Sequence, residues 1–426
     1  MNKAADILNL NHNTELAFRR NALILFLILP ISGLINSLRN KDNEWAKNLF
    51  WLFCIFFGFT FVIAEEGGAD SDRYARLLIY FANSKMSLEE LWQSFYSVTS
   101  GYVDVVSPLI TFLVSRFTEN ASILFMIYGL IFGYFYSRNI WFILSRIEGR
   151  LSWFVLLLFL TFALFNPIWN INGFRFWAAA QVFLYGTLPY LMDGKKKYLF
   201  WSFFAVFIHF SFVGVIGILG LFVAIRNRLN LFLVIFIITS FIREIDLQWM
   251  RTIFSFLPEF LYTKVFNYAN PDYAEERRFI EEELPWFITY STIAIRWVNY
   301  MLVLAISIID RQAIRERKDL LTLICFALLV YSFSNLASLV PSGQRFITVA
   351  NTFMFASFIL YFATVAKEGS LLIIRVVTIP LQLLYCLVAI RIGMDFFSIM
   401  TIIGNPVSAI FYQDPVPLIQ DIKNLF

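Results

Sequence analysis

Residues Leu49–Ala64 read LFWLFCIFFGFTFVIA without a charge, and residues Glu65–Tyr74 that follow read EEGGADSDRY, with four carboxylates and one guanidinium. An uncharged run of this kind approaches the roughly 20 apolar residues that a helix needs to cross a hydrocarbon layer about 30 Å thick. A sudden cluster of charge at its end is what a chain shows where it leaves that layer. The pattern recurs along all 426 residues, which are 59% hydrophobic and 15% charged and include 50 Phe. Mean hydropathy is +0.69. Charge this sparse, confined to gaps between apolar runs, predicts an all-α polytopic membrane protein.

Working outward, a polar tail over 1–20 leads to a first expected span, Asn21–Ser37, with Pro30 and Gly33 inside it. The others are Asn48–Ala64, Ala121–Ile143, Leu151–Phe165, the run from Arg175 to Met192, Leu229–Ile242, Trp286–Ile309, Leu320–Ala337, Phe346–Ala366 and Leu371–Ile390. Tyr198–Ile225 is too long for one crossing, because as a single helix it would measure about 42 Å. Its polar centre, His209-Phe210-Ser211, predicts two short helices meeting there. The run 103–117 carries Asp104 and Pro108, and we expect it to be re-entrant. The expected total is about twelve crossing helices, with a range of ten to thirteen. Together they form one integral membrane domain over 1–426, with outer segments at 65–120 and 243–285. In the first, Ser87 and Glu90 form a capping-box pattern that opens a surface helix, with Leu91, Trp92, Phe95 and Tyr96 expected on one face.

Lysine and arginine crowd the short loops at Arg39/Lys41/Lys47, Arg138/Arg146/Arg150, Lys195–Lys197, Arg226/Arg228 and Arg311–Lys318. The positive-inside bias makes these cytoplasmic. One alternation satisfies them all, provided 103–117 does not cross and 198–225 crosses twice. Arg19 and Arg20 then fall on the outer side, against the bias. The net charge of +4 lies in these loops, so no nucleic-acid partner is expected. Cys54, Cys325 and Cys386 sit in apolar runs without metal-ligand spacing, and neither a disulfide framework nor a metal is expected. The N-terminus lacks the pattern of a cleaved signal, so the first helix should be retained. No phosphate-binding Gly-Lys-Ser/Thr loop and no nucleophile motif occurs.

On this topology Asp70, Asp72, Arg73, Tyr74, Arg175, His209 and Arg345 share the outer face. Ionisable groups at span ends are costly unless they face a cavity or a partner. Asp70 or Asp72 can serve as a general base; the plain alternative is a solvated loop acid paired with Arg73 or Arg76. Arg175 and Arg345 suit a diphosphate clamp, or else anchor to headgroups. His209 is one of two histidines and suits proton transfer, or else is a satisfied structural residue. Glu65, Glu66, Lys264, Tyr268, Arg277 and Arg278 are weaker candidates. Gly214, Gly217 and Gly220 read as packing.

Four segments together resemble the EpsG-type, Wzy-like polymerases of bacterial exopolysaccharide, capsule and O-antigen. They are Gly67-Gly68-Ala69-Asp70-Ser71-Asp72-Arg73-Tyr74, then Asn172-Gly173-Phe174-Arg175-Phe176-Trp177-Ala178-Ala179-Ala180, then the Lys195–Lys197 turn followed by Ile208-His209-Phe210-Ser211, and last Gln344-Arg345-Phe346. The strongest part lies in 60–225. Phe176 and Trp177 depart from the pattern, which leads us to expect a polar and then a small residue after the arginine. The resemblance implies a multi-pass protein of the bacterial cytoplasmic membrane whose site faces outward. Its substrate would be an undecaprenyl-diphosphate-linked oligosaccharide repeat, its associates a chain-length regulator and a flippase, and it would need no cofactor. Asp70, Asp72 and His209 would be catalytic, Arg73, Arg175 and Arg345 would hold diphosphate, and Tyr74 would stack on a sugar. A lipid-linked-sugar flippase, or a transferase or ligase using the same carrier, is the alternative.

Overall fold

The computed structural model describes residues 2–63, 70–95, 102–147, 151–244, 252, 255, 284–367, 369 and 371–425, with side chains from residue 15 onward. Glu65, Glu66, Gly67, Gly68, Tyr96, Arg150, Lys264, Tyr268, Arg277, Arg278 and the acidic stretch 275–283 lie outside these residues. The described chain is helical, without a named strand. It contains six helical stretches long and apolar enough to cross a membrane, one of them folded at a corner within 153–193, and four shorter apolar helices. The protein is a multi-pass, all-α membrane protein.

The first expected span is broken. Helix α1 (Asn2–Ile28) ends before Leu29, and Pro30 opens α2 (Pro30–Arg39). Proline supplies no N–H, so it interrupts one helix and suits the first position of the next. The chain bends sharply here. The Ser32 hydroxyl donates to the Leu25 carbonyl at 3.1 Å, and a Cβ at Gly33 would lie 2.9 Å from that of Phe26. Arg19 consequently lines one cleft with Glu44 and Lys47. A single crossing over Asn21–Ser37 would separate those residues; the break removes the conflict with the charge bias.

Helix α3 (Ala46–Phe59) follows, shorter than expected because 61–63 are not helical. It packs on α7 (Ala121–Leu144) at near-backbone contact: a Cβ at Gly129 would lie 2.5 Å from the Cys54 carbonyl oxygen. Small residues permit such approaches where lipid offers no hydrophobic drive between helices. Between them the chain forms α4 (Asp70–Asn83), α5 (Leu88–Ser94) and α6 (Val106–Ser115). The expected capping box opens α5: Glu90 N–H donates to Ser87 Oγ at 3.2 Å, and Ser87 N–H to Glu90 Oε2 at 2.6 Å. Leu91 and Phe95 pack with Phe81 and Phe112, whereas Trp92, expected on that face, is exposed. Ten residues make α6 about 15 Å long.

Helix α8 (Trp153–Phe165) rises to a 3-10 corner at Ile168–Gly173, and α9 (Phe174–Asp193) returns. As expected, 198–225 is two helices, α10 (Leu199–Ile208) and α11 (Phe212–Ile225), divided at an extended His209. Then come α12 (Leu229–Phe241), α13 (Trp286–Ile309), α14 (Arg311–Glu316), α15 (Lys318–Ala337), α16 (Arg345–Thr364), α17 (Leu372–Gly393) and three short C-terminal helices.

Basic loops gather at one end. Asp193 pairs with Arg146 at 2.7 Å and Lys195 at 2.9 Å, and the Trp141 indole donates to the Lys41 carbonyl. Asn227 reaches Thr322, Arg311 reaches Asn230, and Arg317 reaches Asp319 and Thr364. Phe154 against Phe362, ring centroids 4.9 Å apart, joins the two groups of loops. The corner before α9, the break before α11 and the start of α16 lie at the other end.

Candidate active site

The corner at 166–177 is braced by amides. Asn139 donates to Gln181 Oε1 at 2.8 Å, Gln181 donates to the Asn166 carbonyl at 2.8 Å, and Asn166 donates to the Trp177 carbonyl at 3.0 Å. A satisfied buried network of this kind holds one geometry. It fixes the backbone from which Arg175 projects. Phe174, next to it, stacks on Tyr128 with centroids 3.9 Å apart, and the Tyr128 hydroxyl lies 3.1 Å from Ser107 Oγ and 3.0 Å from Thr111 Oγ1. The corner, α7 and α6 are thereby tied together.

Helix α4 arrives against the same corner. Ser71 N–H donates to Asn172 Oδ1 at 3.3 Å, and Asp70 Oδ2 sits 3.5 Å from where a Gly173 Cβ would be. The tighter neighbour of that point is the Trp177 ring, 3.0 Å away, so glycine leaves room for the indole beside this carboxylate. Asp70 and Asp72 begin a helix rather than a loop, so they point to different sides. Asp70 faces the corner and pairs with Arg73 at 3.4 Å, whereas Asp72 pairs with Arg76 at 2.9 Å. Tyr74 is only 5% exposed, lies edge-on to Tyr128, and its hydroxyl accepts from the Arg175 N–H at 3.4 Å. Its ring has no open face for a sugar; it is a strut beneath the arginine.

The Arg175 guanidinium donates from Nη1 to Asp104 Oδ2 at 3.2 Å. The other oxygen of Asp104 accepts the Phe210 N–H at 2.8 Å. Asp104 is 8% exposed and was missed as a site residue. The signal was present, since a carboxylate within an apolar run needs a partner; the partner, 71 positions away, was not identifiable from local pattern.

His209 lies between these groups, in the fields of Asp104, Asp70, Arg175 and Arg345. Ser211 N–H donates to its Nδ1 at 3.3 Å, with Ser211 Oγ 2.8 Å from the same atom. An Nδ1 that accepts a backbone N–H leaves the proton of a neutral imidazole on Nε2, so the ring presents a donor there. Phe176 is the platform beneath. It meets His209 edge-on at 5.3 Å, packs on Phe346 at 5.2 Å, and lies under the Arg345 guanidinium at 5.9 Å. The aromatic residue that departs from the pattern thus joins α9, the helix break and α16. No carboxylate pairs with Arg345 among the described residues, and no group of three or more metal-binding side chains occurs among them.

The arrangement brings together Asp70, Arg73, Arg175, His209 and Arg345, adds Asp104, and turns Asp72 aside. It holds two guanidiniums for an anion, a carboxylate to accept a proton, and an imidazole N–H. In a comparison with protein families, a model described as EpsG family matches residues 18–399. The curated proteins and the solved structures give no match.

Proposed function

The chain belongs to the EpsG family, that of Wzy-like polysaccharide polymerases, and from that membership we propose that it joins undecaprenyl-diphosphate-linked oligosaccharide repeats by glycosyl transfer. The observation that carries the reading is the convergence of Asp70, Arg175, His209 and Arg345, from four separate segments, at one end of the helices. The basic loops crowd the opposite end, which the positive-inside bias assigns to the cytoplasm. The site then faces outward from the cytoplasmic membrane.

The hydroxyl oxygen of one lipid-linked repeat bonds to the anomeric carbon of the growing chain. The bond from that carbon to the diphosphate oxygen breaks, its electron pair leaving with undecaprenyl diphosphate. Asp70 accepts the hydroxyl proton. Arg175 and Arg345, with Arg73 at the margin, meet the negative charge that grows on the leaving group, and His209 donates an Nε2–H hydrogen bond to it. Preorganised donors aimed at developing charge are worth most where water is scarce. The carrier diphosphate supplies the driving force.

The test is replacement of the gene in a polymer-producing host. Arg175→Ala and His209→Ala should abolish polymer while single lipid-linked repeats accumulate at the outer face. Repeats held at the inner face would instead identify a flippase. Normal polymer from both Arg175→Ala and Arg345→Ala would sink the clamp.

A further inference from the structure

Asp104 belongs to none of the roles above, yet it touches two of the elements that carry them. It stands at the head of α6, where Val105 N–H donates to the Phe207 carbonyl at 3.0 Å. Its Oδ1 takes the Phe210 N–H and its Oδ2 takes Arg175. Residues 207 and 210 flank the break that presents His209. One carboxylate therefore connects the arginine on α9 with the histidine turn.

We propose that Asp104 is a positioning residue, fixing the Arg175 guanidinium and the His209 turn in a single relative geometry for the transfer step; the inference rests on the polymerase reading. Two features separate this role from simple satisfaction of a buried N–H. The Phe210 N–H needs one acceptor, and a neutral amide oxygen would serve. The second oxygen is spent on the guanidinium of Arg175, whose side chain is 39% exposed, so the pair restrains a cation that is not fully buried. A restrained guanidinium keeps its remaining N–H groups aimed, because its donors form a rigid fork. A carboxylate partner also weakens its ground-state attraction for anions. Release of Arg175 should therefore harm turnover more than binding.

The experiment uses the full chain in proteoliposomes. Undecaprenyl diphosphate is the binding probe, followed by tryptophan fluorescence. Lipid-linked repeats from a host lacking the gene are the substrate. Asp104→Asn keeps an acceptor for Phe210 and loses the ion pair. Its kcat per folded molecule should fall at least tenfold, with the Kd for undecaprenyl diphosphate unchanged or lower. Asp104→Glu, which keeps the charge, should recover part of that loss. In an Arg175→Lys background, Asp104→Asn should add little, since the fork it holds is gone. Wild-type kcat in Asp104→Asn overturns the proposal, as does a loss of activity that only tracks loss of folded protein. If Arg175→Ala nevertheless abolishes polymer, the polymerase reading stands without the proposal; if Arg175→Ala, Arg345→Ala and His209→Ala all make polymer, the reading itself fails.

Discussion

The two ends of this molecule treat charge differently. At the basic end most ion pairs are short-range in sequence: Lys195 with Asp193, Arg317 with Asp319, Lys41 with Asp42; Arg146 with Asp193 spans 47 residues but neither side chain is buried. At the other end the central pair joins Arg175 to a nearly buried Asp104, 71 residues apart, and the same carboxylate reaches a backbone N–H 106 residues away. Surface pairs contribute about 0–1 kcal/mol and are easily exchanged. A buried carboxylate cannot be left alone, because an uncompensated charge costs about 3–5 kcal/mol. The first kind orients a membrane protein; the second commits distant segments to one place.

That contrast can be broken most directly at Arg175. Arg175→Ala should lower polymerisation about 100- to 1,000-fold, the range for loss of one preorganised donor, measured as polymer formed per molecule in membranes. Equal activity would mean that the two ends do not differ in function. The acids sharpen the comparison next. Asp70→Asn should cost about 100-fold, within the range for general-base catalysis, whereas Asp72→Asn, which disturbs only the Arg76 pair, should cost far less in the same assay. The reverse order would place the functional carboxylate on the other side of α4. Phe176→Leu tests the platform. It should lower activity about tenfold by loosening His209 and Arg345 together, an effect of about 1.4 kcal/mol, with little change in protein abundance on immunoblots. The smallest effect belongs to the basic end: Arg317→Gln should shift the thermal unfolding midpoint by no more than about 1 kcal/mol of stability implies.

Much of the fold was legible in the apolar runs. The two-helix reading of 198–225 follows from length, since 28 helical residues overshoot a bilayer; the re-entrant reading of 103–117 rests instead on Asp104, Pro108 and the alternation of the basic loops, and the structure has a helix of ten residues there. The first expected span differs because Pro30 opens a new helix instead of sitting inside one. Tolerance depends on neighbours that satisfy the freed groups, and here the chain turns instead. Within the site, Arg175, His209 and Arg345 stood out as costly charges near span ends. The sugar-stacking role of Tyr74 is an implication of the resemblance, and a motif has the same spelling whether the ring is open or covered by Tyr128. Phe176 looked like an anomaly for the opposite reason: a platform under three elements is visible only once those elements have met.

What the sequence determined by itself was the class of protein, the grouping of its basic loops and the types of side chain available for chemistry. Those depend on transfer of groups between water and lipid, a property that each residue carries independently of its partners. Only the tertiary structure decided that Asp70 rather than Asp72 faces the corner, that Asp104 joins Arg175 to the His209 turn, and that Phe176 supports Arg345. Those choices depend on helix phase and on contacts across roughly a hundred residues, and a buried charge enforces them because no closer partner can repay its desolvation.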